Sequence, residues 1–160
     1  MRNLIVVAFI EPVAEGQEFL RSDWPLHITL VRFDVGNDGD TARFAALAEL
    51  PARRALGAAL AVGGEDHFGR QGSVPVSLVE ADRALQALHD SLVQAVAQVS
   101  GRVASPHYTG RYYRPHVSHR GDKRLKAGDA VVLDQIALVD MAPDGNHTIR
   151  RILELWRLRK

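Results

Sequence analysis

The chain has no cysteine in 160 residues. That excludes disulfides, thiolate zinc sites and a cysteine nucleophile, and it suits a reducing compartment. An excess of charge of either sign is also missing. The net charge is +1, so no global field announces a nucleic-acid binder. No apolar run is long enough to cross a membrane. The best, Leu4 to Ile10, is strand-sized against the roughly 20 residues a span needs. Glu11-Pro12 follows it directly, where a secretory signal would carry a cleavage site. A phosphate-cradling glycine loop, a nucleophile elbow and a kinase-like signature are all absent. The expectation is a soluble cytoplasmic protein, monomeric and without a membrane partner.

Hydrophobic content of 46% and charged content of 24% are ordinary for a globular protein. The length suits a single domain over residues 1–160 that buries a real core, with two packed lobes as a possible layout. Leu4 to Ile10 reads as a buried strand near the sheet centre. Glu11 to Asp23 reads as a loop or short helix, and Leu26 to Phe33 as a strand. Asp40 can cap a helix with apolar positions Phe44, Leu47 and Leu50, which Pro51 should end. Ala55 to Val62 and Val74 to Val79 are read as strands.

The clearest helix is Ala81 to Val99. Leu85, Leu88, Leu92, Val96 and Val99 form one apolar stripe, and Ser100-Gly101 stops it. Gly110 to His119, Ala130 to Asp140 and Thr148 to Leu158 are read as strands, the last two joined by a turn at 142–146. The order predicts an α+β fold: antiparallel-rich sheet with two helices packed outside.

Two short stretches repeat a pattern. His27-Ile28-Thr29-Leu30 and His116-Val117-Ser118-His119 each run histidine, branched apolar, hydroxyl, closely behind Pro25 and Pro115. They stand more than half the chain apart. Side chains alternate faces along a strand, so His27 shares a face with Thr29, and His116 with Ser118. Two imidazoles can divide the work of general base and general acid at phosphorus. Hydroxyls and an arginine can stabilise the charge that builds on the non-bridging oxygens. The scheme requires no metal and no cofactor. Such a pair should titrate as a coupled unit with a bell-shaped pH profile. Which histidine is the base is left open.

Pro25-Leu26-His27-Ile28-Thr29-Leu30 and Pro115-His116-Val117-Ser118 resemble the paired His-x-Thr/Ser signatures of the two-histidine phosphoesterase superfamily. The branch most similar is the bacterial 2′-5′ RNA ligase and RNA 2′,3′-cyclic phosphodiesterase group. The similarity extends to chain length, motif separation, the long helix before the second motif and the closing strands. Phe68-Gly69 is similar to that family's mid-chain phenylalanine. The resemblance implies two pseudo-twofold-related α+β lobes with the motifs in the cleft between them. It also implies His27 and His116 as acid and base, and Thr29 and Ser118 as phosphate-contacting hydroxyls. Two positions depart from the family pattern: His119 stands where an aliphatic residue is usual, and Leu26 separates Pro25 from His27.

Strand parity over Gly110 to Arg120 adds Arg120 as a phosphate ligand and Tyr112 as a stacking surface for a base or ribose, with Arg114 on the same face. It turns His119 away from the cleft. His67 beside Glu65 and Asp66 lacks metal-ligand spacing. His89, His107 and His147 are expected in solvent, as are Arg157, Arg159 and Lys160.

The function expected is metal-independent cleavage of 2′,3′-cyclic phosphates or 2′-5′ phosphodiesters, with ligation of RNA ends as its reverse. The partner is then an RNA end or a small nucleotide. One alternative is a module that binds such an end without turnover. Another is a metal-dependent hydrolase using His27, His67 and His116.

Overall fold

The computed structural model describes residues 1–159, so Lys160 lies outside the described residues. Its elements are β1 (Arg2–Phe9), β2 (Glu18–Leu20), β3 (His27–Val35), α1 (Asp38–Ala55), β4 (Ala59–Phe68), β5 (Val74–Val79), α2 (Arg83–Gln98), β6 (Arg102–Val103), β7 (His116–Ser118), β8 (Ala130–Val132), β9 (Gln135–Asp140) and β10 (Ile149–Arg157). The strands join in the order β2-β10-β9-β1-β3-β7-β5-β4-β8, with β6 added to β3. Every pairing is antiparallel. The fold is α+β, as the sequence indicates.

The alternation along β1 divides the core in two. Leu4, Val6 and Ala8 join the larger cluster with Phe33, Phe44, Leu85, Leu88 and Leu92 from β3 and the helices. Ile5, Val7 and Phe9 face the other way, with Trp24, Val139 and Ile152. Each fully buried leucine or phenylalanine contributes about 1.5–3 kcal/mol. With both faces of β1 covered, the run is continuously apolar rather than alternating.

The helices differ in how well their pattern reveals them. α2 buries the predicted stripe and is capped by Asp82, whose side chain accepts from the Leu85 amide. Ser100 takes a left-handed φ of 55° just beyond it. Gly101 then passes so close to β3 that a Cβ would meet the Asp34 carbonyl oxygen at 2.9 Å.

α1 departs from expectation at both ends. Its cap is Asn37, which accepts from the Asp40 amide, and Pro51 lies inside the helix. The buried face is Phe44, Ala48, Ala52 and Ala55, while Leu47 and Leu50 are 38% and 57% exposed. Proline there costs one backbone bond, and the helix runs on because small alanines let it lie close against the core.

Three strand expectations are also corrected. Gly110 to His119 is a strand only at β7, preceded by 3₁₀ turns at Pro106–Tyr108 and Gly110–Tyr112. Ala130 to Asp140 splits into β8 and β9, which pair with different partners as the chain crosses the sheet. Within Glu11 to Asp23 a short strand, β2, forms on β10. Among the described residues no helix is long and apolar enough to cross a membrane.

Candidate active site

The two motifs meet at the centre of the sheet, where Ile28 of β3 pairs with Val117 of β7. Both side chains are fully buried in the core, so the residues flanking them turn to the opposite face. An antiparallel pair has a local twofold axis. Here the axis carries His27 onto His116 and Thr29 onto Ser118. Continuing the register sets His27 across from Ser118 and Thr29 across from His116. The two histidines are then diagonal neighbours, on the order of 7–8 Å apart at the backbone. Two imidazoles and two hydroxyls thus share one face of the paired strands.

The symmetry extends to hydrogen bonding. His27 Nδ1 lies 2.8 Å from the Pro25 carbonyl and His116 Nδ1 lies 2.8 Å from the Arg114 carbonyl. A carbonyl only accepts, so each Nδ1 carries a proton and each neutral ring presents a bare Nε2. The residue two positions before each histidine therefore orients its ring.

The surroundings of the two rings are unequal. Trp24 lies 4.5 Å from the His27 ring and Phe9 lies 6.1 Å away, edge-on. Burial pushes His27 down to about 4, the Pro25 carbonyl opposes this, and the positive charges of Arg120 and His116 add to the fall. His116 meets the edge of Phe68 at 4.6 Å and is more open. Burial lowers it too, against the Arg114 carbonyl and with the Arg114 charge.

Arg120 is near enough for its charge to act on His27, and it makes no ion pair or side-chain hydrogen bond among the described residues. Its backbone forms a small bridge with Lys123. The Lys123 ammonium lies 3.2 Å from Glu11, and the Glu11 carboxylate accepts from the Leu26 amide at 2.6 Å. Burial alone would raise the Glu11 pKa, but the Leu26 amide and Lys123 outweigh it and the net shift is downward. This bridge ties the Arg120 turn to the residue before His27.

A family model described as the 2′-5′ RNA ligase superfamily matches residues 7–159. The chain belongs to the 2′-5′ RNA ligase superfamily. Solved structures agree on the fold. A structure described only as a phosphoesterase superposes with a TM-score of 0.64 at 16% identity, covering 99% of both chains. LigT of E. coli in complex with 3′-AMP gives 0.64 at 16% identity over 99% of both chains. A protein of Thermus thermophilus gives 0.62 at 17% identity over 98% of both. At these identities the likeness concerns the fold. No curated protein sequence matches the chain.

Within this superfamily member the remaining candidates divide. The 3₁₀ turn at Gly110–Tyr112 breaks the strand parity there, yet Arg114 still lies near enough for its charge to act on His116. Tyr112 is 58% exposed and its hydroxyl accepts from Arg111 at 2.8 Å. Arg114 lies over Phe68 at 4.6 Å and pairs with Asp66 at 3.0 Å. His119 is turned away as expected. Its Nε2 donates to Ser77 Oγ at 2.8 Å, while that hydroxyl donates to the Leu125 carbonyl at 2.7 Å. His67, His107 and His147 are exposed. Among the described residues no three His, Asp or Glu side chains are grouped to hold a metal ion.

His89 is a correction: it is 2% exposed rather than solvent-facing. Its Nδ1 donates to the Leu30 carbonyl at 2.7 Å, and its Nε2 accepts from the Gly110 amide at 3.2 Å. Tyr113 stacks on it at 3.9 Å and donates to the Thr29 carbonyl at 2.7 Å. The pair fastens the turns before His116 onto the backbone of the first motif. His89 stands four residues after Leu85 on the apolar stripe, a spacing that signals burial. Trp24, three positions before His27, carried no signal beyond adjacency.

Proposed function

We propose that this superfamily member is a metal-independent phosphoesterase acting on 2′,3′-cyclic phosphates or 2′-5′ phosphodiesters, with His27 and His116 as its proton-transfer groups. The observation that carries the reading is the twofold-related quartet of His27, Thr29, His116 and Ser118 on one face of the paired strands. LigT has been crystallised with 3′-AMP, ATP and NADP+, which supports a nucleotide as the ligand class.

The unequal surroundings support a division of roles. His27, pushed down to about 4, is neutral and takes the proton from the attacking oxygen, a water or a 5′-hydroxyl. His116, more open, is protonated when the phosphate anion sits beside it, and it gives its proton to the departing ribose oxygen. With a cyclic phosphate the new P–O bond forms on the His27 side and the P–O3′ bond breaks on the His116 side, leaving a 2′ ester. Thr29, Ser118 and Arg120 stabilise the non-bridging oxygens. The reverse direction exchanges the two roles.

The test is turnover in EDTA of a panel of cyclic nucleotides, 2′-5′ dinucleotides and cyclic-phosphate-ended RNAs. Wild type should turn over at least one of them. His27→Ala and His116→Ala should each lose about 10²–10⁴-fold with an unchanged circular dichroism spectrum. Undiminished turnover in either variant would falsify the assignment.

A further inference from the structure

A second group of cations lies on the face of the sheet that carries the smaller apolar cluster. Arg150 of β10 sits with its guanidinium carbon 5.8 Å from the centre of the Trp24 ring, the indole that also packs on His27 at 4.5 Å. Carbonyls of Met141, His147 and Ile149 hold one of its nitrogens at 2.6, 3.0 and 3.3 Å, while its Nε is buried without a partner. Arg32 of β3 is opposite Ile5, so it lies on the face of the smaller cluster. Arg21 follows β2, with its amide on the Thr148 carbonyl. Arg21 and Arg32 are exposed and form no ion pair among the described residues. The three are close enough that burial first, then the charges of Arg32 and Arg21, lower Arg150, with only Asp140 opposing. Asp140 is itself engaged by Arg2 at 2.5 Å. Unpaired like charges held together in this way cost free energy that a bound anion would recover.

The position of the group relative to the histidines gives it meaning. In an in-line displacement the entering and leaving oxygens lie on opposite sides of phosphorus. β3 separates β1, β9 and β10 from β7 in the sheet. Whatever is attached to the oxygen served by His27 therefore extends over β1, β9 and β10, away from His116 and toward these arginines. We propose that Arg21, Arg32 and Arg150 form a subsite for the next phosphate of the strand whose 5′-oxygen is served by His27. This would make the protein a selector of RNA joined at, or to be joined at, a 2′-5′ linkage rather than of a terminal cyclic phosphate alone. The inference rests on the role assignment above. In ligation the 5′-hydroxyl proton passes to His27, P–O5′ forms, P–O3′ breaks, and His116 protonates O3′. Cleavage is the reverse, so atoms and protons balance.

The test uses an Arg21→Ala/Arg32→Ala double variant, both sites exposed, against four substrates: a 2′,3′-cyclic nucleotide, a 2′-5′ dinucleotide, that dinucleotide with a phosphate on its downstream 3′-oxygen, and a cyclic-phosphate oligonucleotide extended upstream. A loss in kcat/KM of roughly tenfold should be confined to the downstream-phosphorylated dinucleotide. The slope of its log kcat/KM against log salt should shrink by about one. Hydrolysis of the cyclic nucleotide should be unchanged. Equal turnover of the phosphorylated dinucleotide by both proteins would overturn the subsite, as would a loss on the upstream-extended oligonucleotide instead. Wild type inactive on every substrate would overturn the proposed function and the subsite with it.

Discussion

His27 and His116 occupy equivalent places on either side of a local twofold axis, yet the first is the more enclosed of the two. Each ring is held by a carbonyl two residues earlier at 2.8 Å, and each motif turns its branched apolar residue into the core. The difference comes from what covers them. Trp24 and Phe9 wall in the first, while the second meets Phe68 and its neighbour Arg114. Symmetry in the backbone supplies two equivalent imidazole positions. Asymmetry in packing lowers one further than the other, which on the proposed function would let one start as base and the other as acid.

The hydroxyls offer the largest test of this comparison short of removing an imidazole. The axis relates Thr29 to Ser118, so Thr29→Val and Ser118→Ala should each lower kcat by a similar factor, on the order of 10²-fold. A loss confined to one of them, measured in a single-turnover assay, would break the equivalence.

A smaller effect probes the unequal covering. His27 has an ordinary pKa of 6.5 and a folded value of about 4. Above 6.5 it is neutral folded or unfolded. As pH falls from 6.5 toward 4, the unfolded chain takes a proton that the folded chain refuses. Stability is lost over that window, by about 3 kcal/mol in all. Denaturant unfolding should show a shallower acid loss for His27→Gln than for wild type, and a smaller change in the same direction for His116→Gln. Identical slopes would mean that Trp24 and Phe9 do not keep His27 neutral.

Much of this was legible in the sequence, for reasons specific to particular residues. Parity along a strand depends only on backbone geometry, so the faces of His27, Thr29, His116 and Ser118 could be read directly, as could the inward turn of His119. The α2 stripe was equally plain, because five aliphatic side chains repeat at helical spacing. Parity failed where the chain was not a strand. Gly110 opens a 3₁₀ turn that includes Tyr112, so the parity that assigned Tyr112 a face does not hold there. α1 was misread because alanines, not leucines, form its buried face, and a hydrophobic count ranks them the other way. The Glu11–Lys123 bridge and the His89–Tyr113 stack join residues far apart in the chain, and no local pattern encodes them. Arg21, Arg32 and Arg150 likewise come together only through sheet order.

The assignment of sides to the two histidines is tested most directly by a change of leaving group. On the proposed function, in cleavage of a 2′ phosphodiester the 3′-hydroxyl would attack with help from His116, and His27 would protonate the departing group. A nucleoside 2′-(4-nitrophenyl phosphate) releases a phenolate that needs no proton. On this ester His27→Ala should recover most of the activity it loses on a 2′-5′ dinucleotide, while His116→Ala should stay impaired on both. Recovery by His116→Ala, with His27→Ala still inactive, would contradict the account.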